Sequence, residues 1–262
     1  MRIVVYLAVV VLSICMSMGT AARSKVNAST YPYEIAEQLQ DREQYKRFII
    51  APVNLGKPSR NYLQEHEGKI DKEVARYLKS NGYELADSSL FTAAWEDGIR
   101  RFGEPFNPST GRLNERSFQA NLAASITSLK ENHDIDAVIF TNLEEHQVMF
   151  SPGLSHIARF HGVSRKPSMQ GPGQGITGDF SWIQDVDAVS LFVFIFNMDL
   201  QRVFISAGGI EVTEAIDTKG STGRFKRRRK VLGNKKHIKE GVMLAFHPLI
   251  TMKKWPGPKP EK

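Results

Sequence analysis

Cysteine is almost missing from this chain: Cys15 is the single one in 262 residues. It falls inside the leader described below, so a chain cut after Ala21 or Ala22 would hold none. Disulfides, zinc–thiolate sites and thiol nucleophiles would then be excluded together. Long apolar runs are missing as well. Past the leader, no stretch approaches the ~18 apolar residues that a membrane-spanning helix needs. Catalytic strings are also lacking. G-x-S-x-G does not occur, and Ser151-Pro152-Gly153 lacks the strand–turn–helix setting of a nucleophilic serine.

The remaining candidates for chemistry have ordinary readings. His146, His156 and His161, with Glu144 and Glu145, are the one candidate metal cluster. However, His156 and His161 share a face neither on a helix nor on a strand. The glycine-rich run Gly171–Gly178 invites a phosphate-loop reading. Pro172 removes one of its amide donors, no Lys-Ser/Thr follows, and a surface loop fits better. The acid pairs Asp134 with Asp136 and Asp185 with Asp187 sit at strand starts, where Asp is a normal turn residue. The sequence therefore offers no catalytic, cofactor-binding or metal-ligating residue to single out, and no cofactor is expected.

What is there begins with the leader. Met1-Arg2 gives a short positive start, Ile3 to Cys15 is nearly all apolar, and Gly19-Thr20-Ala21-Ala22 supplies small residues for cleavage. Residues 1–22 read as a signal peptide, and the mature chain is expected in the periplasm or outside the cell. Anchoring through lipidation of Cys15, or through an uncleaved signal, is the alternative.

The net charge of +7 is local. Lys219 to Lys239 holds ten Lys/Arg and no Asp or Glu. Setting that stretch and Arg2 aside leaves 24 cations against 28 carboxylates, a balance of −4. Arg224, Lys226, Arg227, Arg228, Arg229 and Lys230 are the expected contact for an anionic partner. That partner is an envelope protein, lipid headgroups or lipopolysaccharide, with membrane association allowed. Nucleic acid is not expected outside the cell. Changing Arg227, Arg228 and Arg229 to Ser is expected to weaken retention on anionic vesicles and to leave thermal stability near wild type.

Between leader and tail the pattern is α/β. Residues 23–45 read as a flexible lead-in with a short helix carrying Ile35 and Leu39. Residues 46–250 read as one α/β domain, and 251–262 as a disordered Pro-rich tail. Within the domain, Arg47–Val53 is a doubly buried strand. A helix follows with Ile70, Val74, Tyr77 and Leu78 on one stripe. Tyr83–Asp87 is a short strand. Helices are predicted over Phe91–Phe102 and Asn114–Asn132, and a strand from Asp136 towards Phe150. Asp187–Phe196 and Arg202–Ser206 form a long antiparallel hairpin turned at Asn197-Met198-Asp199. Gly208-Gly209 signals a bulge or close backbone approach, and a last helix runs near Lys239 to Phe246. The predicted fold class is α/β: a mixed sheet with a long antiparallel hairpin and helices packed on it.

This order resembles the small nucleotide-binding-like α/β domain of bacterial envelope proteins. That group includes the curli secretion lipoprotein and the penicillin-binding-protein activator lipoproteins. The matching strings are Ile49-Ile50-Ala51-Pro52-Val53, Tyr83 to Asp87, Asp136-Ala137-Val138, and the hairpin Phe196 to Val203. The resemblance implies a non-catalytic protein that binds or scaffolds envelope partners. A periplasmic hydrolase, with carboxylates or His161 near the loop 166–178, is the alternative. The intact mass of the mature protein from its host checks the export reading. Loss of residues up to Ala21 or Ala22 is expected, whereas an intact or acylated leader overturns it.

Overall fold

After Arg47, strand β2 (Arg47–Ala51) is apolar because both of its faces are covered. Phe48 and Ile50 enter one core, and Ile49 and Ala51 enter another. The structure, a computed structural model, describes residues 33–36, 39, 44–55, 61–151, 157–171, 180, 184–218 and 225–254. Helix α1 (Asn61–Ser80) follows β2 and lays Leu63, Ile70, Val74 and Leu78 on the first face. It stops at Gly82, whose φ of 86° is left-handed, a conformation that costs glycine little. The chain then returns as β3 (Glu84–Leu85), parallel to β2.

The other face is covered by α2 (Ser88–Phe102) and α3 (Glu115–Asn132). Asp87 caps α2 by accepting from the Ser89 amide, and Asn114 caps α3 by accepting from the Ser117 amide. Phe118, Leu122, Ile126 and Leu129 turn inward. Strand β4 (Ala137–Ser151) comes back parallel to β2 on the side away from β3. Asp136 fixes its start, its Oδ2 accepting from the amides of Lys46 and Arg47 at 2.8 and 2.7 Å.

Beyond β2, the long strand β4 pairs with β8 (Asp185–Asn197), from Ala137 opposite Asn197 to Met149 opposite Asp185. A turn at Met198–Leu200 leads β8 into β9 (Arg202–Val212). With β1 (Glu34–Ile35) at one edge, the main sheet runs β1-β9-β8-β4-β2-β3 and is mixed, parallel on one side and antiparallel on the other. Strands β5 (Ile157–Phe160) and β6 (Val163–Arg165) pair antiparallel, and β5 joins the far end of β4. They close a third core with Val148, Phe150, Val186 and Val212. A separate small sheet orders β11 (Phe225–Arg227), β10 (Glu214–Asp217) and β7 (Ser168–Gln170). Helix α4 (Lys235–Ala245) packs on β9. With four helices and a mixed sheet of eight strands among the described residues, this is the α/β fold the sequence predicts.

Three elements differ from expectation. Within the stretch 166–178 read as a loop, Ser168–Gln170 forms β7, because it pairs in parallel with β10. Ile35 lies not in a helix but in β1 (Glu34–Ile35), antiparallel to β9. The reason is an open sheet edge: β9 offers backbone groups that Glu34, Ile35 and the Ala36 amide satisfy. Helix α4 starts at Lys235 rather than near Lys239, because Asn234 accepts from the amides of Lys236 and His237. The leader 1–22 and residues 255–262 of the Pro-rich tail lie outside the described residues.

Gly208 and Gly209 are where β9 is squeezed. A Cβ on Gly208 would stand 1.9 Å from the Gly241 carbonyl of α4, and one on Gly209 would stand 2.4 Å from Val163 Cγ2. The register also shifts there, Val189 facing Glu211 and Ser190 facing Gly209. Bulge and close approach both occur. Gly208→Ala is expected to destabilise by at least the ~1–3 kcal/mol typical of overpacking, because backbone must move, and so to lower the thermal midpoint. Gly68→Ala, in open space on α1, is expected to stabilise by up to ~1 kcal/mol and raise it. Thermal melts of the two variants check this contrast.

Candidate functional site

Two glutamates on central strands draw the basic segment inward. Glu145 of β4 is on the α1 face of the sheet, with only 2% of its side chain exposed. Its Oε1 accepts from Tyr62 Oη, from Thr213 Oγ1 at 2.8 Å and from Arg227 Nη1 at 3.0 Å. Arg227 Nη2 donates to Oε2 at 3.2 Å, which makes the pair bidentate. The guanidinium also stands 4.5 Å over the Tyr62 ring and 3.6 Å from Asp187. Burial pushes the Glu145 carboxyl up, but the hydrogen bonds from Arg227, Tyr62 and Thr213 outweigh it and leave it below its ordinary value. Burial, then the bond to Glu145, pushes the Tyr62 hydroxyl up to about 12.

Glu211 of β9, with 3% of its side chain exposed, is the second anchor. It accepts from the Leu232 amide and stands 3.4 Å from Arg228 Nη1. Arg228 Nη1 also donates to the Val212 carbonyl at 2.9 Å. Lys226 pairs with Asp217 across β11 and β10.

Of the six residues expected to meet an anionic partner, Lys226, Arg227 and Arg228 therefore hold carboxylates of the same chain. Arg224 lies outside the described residues. Arg229 and Lys230 are exposed. This corrects the expectation that the arginines can be removed without loss of stability. Leaving Glu145 buried without Arg227 should cost about 3 kcal/mol, the low end for a broken buried pair, because Arg227 is itself 39% exposed.

The exposed cations continue where the sequence reading stopped. After Arg229 and Lys230 come Lys235, Lys236 and Lys239 of α4, all exposed. None of these five forms an ion pair among the described residues, and 229–239 contains no Asp or Glu. Glu240, next along the helix, is held by Arg165 at 2.6 Å. Lys235 and Lys236 occupy the first turn of α4, which has no acidic residue. The helix dipole disfavours cations there by ~0.3–1 kcal/mol each, a penalty that an approaching anion would relieve.

On the opposite face of the sheet, two of the candidate metal residues meet. His146 Nε2 and His161 Nδ1 lie 2.8 and 2.6 Å from Ser190 Oγ, with ring centroids 4.8 Å apart. The serine has one proton, so it donates to one imidazole and accepts from the other's N–H. Burial holds His146 down at about 4. Burial, with His146 beside it, holds His161 down at about 3. His161 adopts φ 35° at the β5–β6 turn, and its carbonyl accepts from the Gly209 amide. Glu144 accepts instead from Asn142 at 2.8 Å, and Glu145 is on the other face. His156 and residues 172–178 of the glycine-rich run lie outside the described residues. No group of three or more His, Cys, Asp or Glu among the described residues could hold a metal.

No family model and no curated protein matches this chain. Its own geometry is therefore what supports a functional reading.

The histidine pair sets a pH dependence. An unfolded chain takes up protons at both imidazoles below about 6.5, whereas the native chain does so only near 4 and 3. The stability of the neutral pair is whole above the unfolded value and is lost as acid enters that window. The thermal midpoint is expected to fall from pH 7 to pH 5, and less steeply in His146→Gln/His161→Gln. Identical slopes would show that the pair does not control it.

Proposed function

We propose that this is an exported bacterial envelope protein that binds or scaffolds an anionic envelope component. Its contact surface is Arg229, Lys230, Lys235, Lys236 and Lys239. The observation that carries this reading is the exposure of five cations within eleven residues, from the loop that Arg227 and Arg228 fasten to Glu145 and Glu211 into the start of α4. A cation near an anionic membrane surface contributes ~1 kcal/mol, so five can retain a protein there. The leader 1–22, the excess of positive charge in one segment, and the resemblance to the envelope lipoproteins support the same reading.

Among the described residues, no helix is long and apolar enough to cross a membrane. The hydrolase alternative has less support. Ser190 is fully buried, and it occupies the Nδ1 of His161.

The test replaces Arg229, Lys230, Lys235 and Lys236 with Ser together. Retention on phosphatidylglycerol vesicles at low salt is expected to fall at least tenfold, with the thermal midpoint near wild type. Equal retention of both proteins would overturn the reading.

A further inference from the structure

The outward face of α4 is not purely cationic. Ile238, Gly241, Val242, Leu244 and Ala245 are the residues it buries. Lys236, Lys239 and Met243 stand at i, i+3 and i+7, so they share the side that the core leaves open. Lys235, four residues before Lys239, joins them. Met243 is 37% exposed, one turn beyond Lys239. Glu240 interrupts the positive charge, but Arg165 neutralises it at 2.6 Å.

A second methionine borders the same surface. Met169 of β7 is, at 59%, the most exposed large apolar side chain among the described residues. Two contacts bring β7 to the cations. Gln170, the next residue, accepts from the Arg229 amide at 3.2 Å and donates to the Arg227 carbonyl at 3.4 Å. Arg165, four residues before Met169, is the partner of Glu240 on α4. Met169 thus lies on the stretch of chain that runs between α4 and Arg229.

Cations beside exposed apolar side chains select the kind of partner. A soluble polyanion would engage the cations and leave both methionines in water. A protein partner would need a matching hole for each methionine as well as acids for the cations. An anionic bilayer takes up both without such a match. Its phosphates meet the lysines, whose long stems reach along the interface. Its fluid acyl boundary accepts an unbranched, flexible thioether. On the basis that the basic surface is the contact site, we propose that its partner is an anionic lipid bilayer. Lys235, Lys236 and Lys239 lie at the level of the headgroups, and Met169 and Met243 enter the boundary with the acyl chains.

The test uses the full chain with Cys15→Ser, so that an introduced cysteine is the only thiol. Met169→Cys, Met243→Cys and Ser109→Cys, the last exposed between α2 and α3, each carry an environment-sensitive dye. On phosphatidylglycerol vesicles, emission from positions 169 and 243 is expected to shift to the blue and to be shielded from aqueous iodide. Position 109 is expected to keep its emission in water. Met169→Ser/Met243→Ser is expected to lower retention on the same vesicles about tenfold, the scale of two partly exposed apolar side chains losing their burial. Retention with both dyes still open to iodide would overturn the insertion while leaving the basic surface as a contact for some other anion. Wild-type retention of the double methionine variant would do the same. No retention of the unsubstituted chain would overturn the contact surface itself.

Discussion

A carboxylate buried in a sheet needs close partners, and among the described residues Glu145 and Glu211 each find an arginine. Burial of an ion carries an effective penalty of several kcal/mol, offset only by close, well-oriented partners. Glu145 and Glu211 stand on β4 and β9, among the central strands. Their partners Arg227 and Arg228 are consecutive in the chain. The pair therefore acts as a two-point fastening. Strand β11 is brought against β10, the Leu232 amide is tied to Glu211, and the chain is delivered to Asn234, where α4 begins.

Strand β9 carries the corresponding constraint on shape. With α4 on one side and the β5–β6 turn on the other, it has no room for a side chain at Gly208 or Gly209. Dense packing on both faces brings His161 far enough in to meet Ser190 and His146, and the same burial keeps both rings neutral. Backbone clearance, a left-handed His161 and a shared serine proton are thus aspects of one contact region.

Much of the scaffold was legible before any coordinates. Continuous apolar strands such as Phe48–Ala51, the Ile70/Val74/Leu78 stripe and the Asn114 cap follow from local patterns that the tertiary structure reinforces. Ile35 was misread because a two-residue edge strand leaves no periodicity; only the open side of β9 explains it. The site was harder to read, because counter-ions are non-local. Arg227 and Glu145 lie 82 residues apart in sequence, and a run of arginines looks the same whether it faces solvent or a buried acid. One signal was present. Glu211 interrupts an otherwise largely apolar strand in a chain whose excess of cations lies between Lys219 and Lys239. The Ser190 cluster had no comparable signature, since it brings residues of two strands, β4 and β8, to a third residue in the β5–β6 turn.

The bidentate Arg227–Glu145 pair divides the positive charge of this protein into two populations with different sensitivity to electrolyte. Mobile ions screen charges at the surface within about 10 Å at 0.1 M, but they reach a desolvated pair poorly. Ionic strength therefore acts as a selective handle, loosening whatever adheres to the lysines of α4 while the arginine fastening beneath stays shut.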